Sequence, residues 1–200
     1  MESIRLTGRS GHSSNPTLGV SALEAMHEVI GDILSWRQQL QQSFRDERFE
    51  VPFPTLNLGH IHGGDNPNRI CAECELHIDL RPLPGMSLEE MREEIRKRLD
   101  RRFKQHAIQW QLESLITGTP AFATPEKSPI IEATEKATGH CCHSVAFCTE
   151  APYLTELGID TIVLGPGDID QAHQPDEFLA LDRIEPMIKT AQDLVKRFCY

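Results

Sequence analysis

The chain opens with an alternation in which Ile4 and Leu6 fall between charged or polar neighbours, the period-two pattern of a half-buried strand over residues 2–9. Gly11 to Pro16 is turn chemistry, and Thr17 stands where it would cap a helix from Leu18 to about Gln42. Along that stretch Val20, Leu23, Met26, Ile30 and Ile33 recur at helical spacing and make one apolar face. A second alternation, Phe53, Thr55, Asn57, Gly59 and Ile61, predicts a strand over 53–62, followed by a Gly-, Asp-, Asn- and Pro-rich turn at 63–68. A third strand is expected from Ile70 to Leu80. Ser87 and Glu90 form a capping box for a helix over 88–103, and Ala107 to Leu115 reads as a fourth strand. The order β-α-β-β-α-β predicts an α+β, ferredoxin-like domain over residues 2–117: a four-stranded antiparallel sheet with two helices on one face.

After a Pro-, Gly- and Thr-rich connector from Gly118 to Pro129, the pattern changes. It predicts a helix at 129–138, a strand at 143–147, a helix or turn at 150–157, a strand at 160–164, a Gly- and Pro-rich loop, and a helix at 183–198. Two short strands and three helices make a poor core alone. Residues 118–200 are therefore expected to be the C-terminal α/β segment of a larger sheet whose other strands lie outside the chain.

The formal net charge of -10, from 20 Lys and Arg against 30 Asp and Glu, argues against a nucleic-acid partner. The basic run from Arg92 to Lys104 interleaves glutamates at helical spacing and reads as a solvated helix face. No apolar run has the length of a membrane span, and no signal peptide opens the chain, so no membrane partner is expected. Cys71 and Cys74 have CxxC spacing, but strand positions three apart face opposite sides and no second CxxC completes a zinc site. The six cysteines are expected to be reduced thiols of a cytoplasmic protein.

The loop from Gly165 to Phe178 follows the β-branched run Thr161 to Leu164, and in open α/β sheets such carboxyl-end loops bind ligands. It carries His173 among carboxylates. A neutral imidazole whose second N–H is taken by an acid suits a metal, while the plainer reading is a solvated acidic loop. Arg81 can grip a carboxylate bidentately or pair with Asp79. His60 and His62 share a strand face but have no third ligand in view, and read as exposed strand residues.

Gly8-Arg9-Ser10-Gly11-His12-Ser13-Ser14, Pro54 to Gly64, Asn68-Arg69-Ile70-Cys71, Asp79 to Gly85, Cys148 to Pro152, and the Gly165–Glu177 loop together resemble, in this order, the co-catalytic zinc aminoacylase/peptidase family. The resemblance implies that residues 2–117 are a lid and dimerisation domain inserted in a catalytic domain, that 118–200 are that domain's C-terminal segment, and that its N-terminal half lies elsewhere. It implies a metal-dependent amide hydrolase that removes acetyl from N2-acetyl-L-ornithine in arginine biosynthesis, acting as a homodimer on a small N-acetylated amino acid. A related desuccinylase or aminoacylase, or a non-catalytic dimerisation module, are the alternatives. By the same resemblance His173 is the last ligand of a two-zinc site, with cobalt as a substitute, and the other ligands and the catalytic Glu are not in this chain. His12 would donate a hydrogen bond to the developing oxyanion in the partner's active site. Asn68 and Arg81 would hold the substrate carboxylate. Thr149, Glu150, Gly165 and Gly167 would line the pocket, with Glu150 at the ornithine amino group. The chain alone is expected to be inactive.

Overall fold

The computed structural model describes residues 1–200, and the chain divides into two units, Met1–Ala121 and Phe122–Tyr200. The first contains strands β1 (Glu2–Thr7), β2 (Thr55–Gly63), β3 (Glu73–Arg81) and β4 (Gln109–Ser114), with helices α1 (Ala22–Ser43) and α2 (Leu88–Phe103). All pairings are antiparallel and the order is β2-β3-β1-β4, the ferredoxin-like arrangement that the pattern predicts. Ile4, Leu6, Leu76 and Ile78 from the sheet meet Met26, Ile33, Ile95 and Leu99 from the helices, all essentially inaccessible to solvent. Each such side chain contributes about 1.5–3 kcal/mol by leaving water. The alternate strand residues form a polar, open face on the other side of the sheet.

The start of α1 differs from the expectation at Thr17. Residues 16–18 form a separate 3-10 turn, in which the Thr17 hydroxyl donates to Asn15 Oδ1 at 2.8 Å. Arg9 and Val20 then exchange two backbone hydrogen bonds of 2.9 and 2.8 Å, which keeps the chain extended up to Ser21. Ser21 is the true cap, its Oγ accepting from Glu24 N. A Cβ on Gly8 would lie 2.1 Å from the Val20 carbonyl oxygen, so this approach requires glycine. The expected cap at Ser87 forms, with Oγ accepting from Glu90 N at 3.2 Å.

β2 contains a bulge. Leu58 pairs with Ile78 but His60 pairs with His77, leaving Gly59 as the extra residue. The alternation expected through Asn57, Gly59 and Ile61 is therefore broken. Beyond the bulge, His60 and His62 join Asn57 on the open face, opposite His77 and Glu75, while Ile61 opposes the buried Leu76.

The CxxC reading also changes. β3 begins only at Glu73, so Cys71 is not bound by strand alternation, and both thiols belong to the core. A Cβ on Gly63 would lie 2.8 Å from Cys74 Sγ, and one on Gly64 would lie 3.7 Å from Cys71 Sγ. Burial pushes the Cys74 thiol up from its ordinary range. All six cysteines are free.

The second unit holds α3 (Pro129–Thr138), α4 (Ala151–Glu156) and α5 (Ile184–Cys199), with α3 packed on α5. The strands expected at 143–147 and 160–164 are not formed. A strand exists through its hydrogen-bonded neighbour, and neither run has one here. α5 buries no side chain, and Ile184, Ile188, Val195 and Phe198 remain exposed along it. No helix is long and apolar enough to cross a membrane.

Candidate functional site

In the first unit, two loops converge that are remote in sequence. His12 forms a β-bridge with Arg69, Ser13 N donates to the Asn68 carbonyl at 2.9 Å, and Ile70 N donates to Gly11 O at 2.8 Å. Asn68 is held in turn by a bond from its own backbone N–H to Asn66 Oδ1. The structure therefore brings His12 and Asn68 together, both exposed, on adjoining turns.

The tautomer of His12 follows from its neighbours. Ser14 N–H donates to His12 Nδ1 at 3.2 Å, with Ser14 Oγ at 2.8 Å from the same nitrogen. A backbone N–H can only donate, so Nδ1 carries a lone pair. Neutral His12 then carries its hydrogen on Nε2, pointing a donor away from its own turn. This is the arrangement needed to bond an oxygen that gains negative charge.

Arg81 stands apart. It ends β3, eight residues beyond Glu73, which places it about 26 Å along the strand from the end nearest Asn68. Its Nε donates to Asp79 Oδ2 at 2.8 Å, so of the two sequence readings the ion pair is the one formed. Arg69 is engaged by Asp65.

Two clusters escaped the sequence reading. On the open sheet face Glu75 accepts from Ser3 Oγ at 2.6 Å, contacts His77 Nε2 at 3.0 Å and lies 3.4 Å from Arg5. The Ser3 hydroxyl, then His77 and Arg5, hold its carboxyl well below the usual range, at about 2. Inside the core, the fully buried Glu2 accepts from Arg92 Nε at 3.0 Å, from Nη2 at 2.9 Å and from Ser114 Oγ at 2.6 Å. The signal for it was an acid in a strand's inward alternation, in phase with Ile4 and Leu6.

In the second unit, each candidate is held by local turns. Thr149 Oγ1 accepts from Ala151 N, and Glu150 is the first residue before α4, with its carbonyl accepting from Tyr153 N. An added Cβ on Gly165 or Gly167 would meet open space, so nothing in this chain's own packing demands glycine there. His173 is the one non-glycine residue with a left-handed backbone, at φ 62°, and its N–H donates to Glu177 Oε2 at 3.2 Å. Such a conformation is uncommon outside glycine and is found where something holds it. Nowhere do three or more His, Cys, Asp or Glu side chains come together as a metal site. These residues alone do not fit a two-metal centre.

Two curated relatives are acetylornithine deacetylases: that of Edwardsiella ictaluri is 48% identical, over 99% of this chain and 51% of the relative. That of Vibrio vulnificus is 45% identical, over 98% of this chain and 52% of the relative. The chain thus spans about half the length of the curated relatives it matches. A tripeptidase structure from Staphylococcus aureus shares the fold at a TM-score of 0.70 and 19% identity, over 98% of this chain and 50% of the other. Residues 2–107, which carry β1, β2, β3 and both helices of the first unit, match the peptidase dimerisation domain, and the chain belongs to that family.

Proposed function

We propose that the chain is part of a metal-dependent acetylornithine deacetylase, with the first unit as lid and dimerisation domain and the second as the C-terminal segment of the catalytic domain. The observation that carries this reading is the 48% identity to such an enzyme across 99% of the chain, through both units rather than the dimerisation domain alone. The exposed apolar face of α5 supports it, because that face suits burial against further polypeptide.

His12 acts here as an oxyanion donor through Nε2–H, with Ser14 fixing its tautomer. Asn68, on the adjoining turn, orients the substrate's carboxylate through its amide. Arg81 serves that role less directly, being paired with Asp79. In the second unit Thr149 and Glu150 line the pocket, Gly165 and Gly167 leave room for backbone approach to the substrate, and His173 is the single metal ligand contributed. Zinc is the metal that the relatives' class of chemistry suggests, with cobalt as a substitute, and most of its ligands come from outside these residues. The first unit joins two copies as a homodimer, and the reaction is cytoplasmic.

A chimera tests the reading: the Edwardsiella ictaluri enzyme with its matched part replaced by this chain. The expected result is hydrolysis of N2-acetyl-L-ornithine in preference to N-succinyl-diaminopimelate. A folded dimeric chimera that prefers the succinyl substrate would sink the specificity, and one that hydrolyses neither would sink the assignment.

A further inference from the structure

The bulge at Gly59 does more than bend an edge strand. It turns His60 and His62 onto the open face of the sheet, where His60 lies directly opposite His77 and His62 directly opposite Glu75. The His60 and His77 rings are 4.9 Å apart between centroids, with their planes tilted by 44°. A metal ion held by two imidazole nitrogens, each about 2.0–2.1 Å away and at a tetrahedral angle, brings the two ring centroids to about 5 Å. The His60–His77 centroid distance matches that of such a pair, and His60 is exposed to solvent.

The second element is Glu75. Its Oε1 lies 3.0 Å from His77 Nε2. An ionised carboxylate only accepts, so Nε2 carries the hydrogen and Nδ1 of neutral His77 keeps its lone pair. A carboxylate that takes the far N–H of a histidine is the usual support of a metal-bound imidazole, fixing its tautomer and raising its basicity. Ser3 Oγ, at 2.6 Å, holds Glu75 in place from the neighbouring strand β1.

We propose that His60 and His77 form a two-imidazole site for a late first-row divalent cation on the open face of this sheet, with Glu75 positioning His77. Two nitrogen ligands on a solvated face leave the remaining coordination positions to water. Imidazole donors favour nickel, copper and zinc over magnesium or calcium. His62, one strand step along the same face, is a neighbour and not a required ligand. This site does not depend on the deacetylase reading.

The test uses the untagged 200-residue chain with the exposed Cys141, Cys142, Cys148 and Cys199 replaced by Ser, so that thiols do not compete. Ni2+ is titrated calorimetrically at pH 7.5, with imidazole NMR signals followed in parallel. The expected result is one Ni2+ per chain, with signals of His60 and His77 perturbed first. His60→Ala and His77→Ala should each weaken binding at least tenfold, and Glu75→Gln should weaken it by about 10–100-fold through the lost support. Copper should bind more tightly than nickel. Because His60 is exposed on an edge strand, His60→Ala should melt at the parent temperature, so it remains decisive if His77→Ala fails to fold. Unchanged affinity in His60→Ala, binding abolished instead by His140→Ala, His143→Ala or His173→Ala, or no Ni2+ binding at millimolar metal would each overturn the proposal.

Discussion

Arg92→Met should be among the most damaging single changes in the first unit. Arg92 reaches from α2 to the first residue of the second-layer sheet's inner strand β1, where the Glu2 side chain is 0% exposed and Arg92 itself only 12%. Two guanidinium donors, at 3.0 and 2.9 Å, and the Ser114 hydroxyl, at 2.6 Å, satisfy that carboxylate, while Nη2 also donates to Thr117 O at 3.0 Å. The network thus ties β1, the end of β4, α2 and the chain just beyond β4. Removing Arg92 leaves a buried carboxylate with the Ser114 hydroxyl and, 3.7 Å away, the Met1 ammonium, and breaking a buried ion pair in this way costs about 3–5 kcal/mol. Replacing both charges by apolar groups removes the uncompensated charge, so Glu2→Leu with Arg92→Met should recover most of that loss. Urea denaturation followed by Trp110 and Trp36 fluorescence reads both; with a slope of about 2 kcal/mol per molar urea, the single variant's midpoint should fall by about 1.5–2.5 M. If Arg92→Met lies within 0.5 kcal/mol of the parent, roughly the level of an ordinary surface change, or if the two substitutions simply add, the pair is not the buried bond that its geometry indicates.

Gly63→Ala should destabilise the first unit by about 1–3 kcal/mol through overpacking, since the new Cβ meets Cys74 Sγ at 2.8 Å; Cys74→Ala in the same chain should relieve the effect. Glu75 has its folded carboxyl lowered from 4.5 to about 2, so its stabilisation is complete above pH 4.5 and is lost as pH falls from there toward 2. Glu75→Gln should therefore flatten the acid limb of a stability–pH curve, and an unchanged limb would contradict this. In the chimeric enzyme, His12→Ala should lower kcat by about 10²–10³ with no change in melting temperature, the cost of losing one oxyanion donor. The 200-residue chain alone should show no deacetylation of acetylornithine with added zinc or cobalt, and a metal-dependent rate abolished by His173→Ala would count against placing the remaining ligands elsewhere.

The first unit was legible because every element finds its packing partner within about 115 residues of sequence. Ile4 and Leu6 meet Leu76 and Ile78, and the two helices close over them, so hydrophobic period alone assigned four strands and two helices correctly. The second unit was legible only where structure is local. Its helices form where predicted, because a helix satisfies its own backbone. The runs 143–147 and 160–164 have strand composition but no ladder, since composition cannot supply the neighbouring strand that a ladder needs. The same division applies to the candidate site. His12 and Asn68 are joined by backbone bonds between two turns of one unit, whereas Thr149, Glu150 and His173 are each explained by a bond to a residue two to four positions away.

Sequence reasoning set His60 and His62 aside as exposed strand residues because no third ligand stood near them in the chain. An unbroken alternation from Asn57 would put His60 and His62 on the opposite face of the strand, against α1 and the core. Nothing there could satisfy them, and burying unpaired polar groups is costly. The bulge resolves the conflict: one extra residue, Gly59, lets Leu58 keep its place against Ile78 while His60 and His62 cross to the solvated face. A glycine inside a strand is the sequence sign of such a bulge, and here it stands immediately before the first histidine. Once the shift is made, the third and fourth members of the cluster come from β3, thirteen or more residues away in sequence and one strand away in space. That is why the local pattern showed two histidines and no partner. It is also why the pair His60–His77, rather than His60–His62, is the juxtaposition on which the chemistry of this face rests.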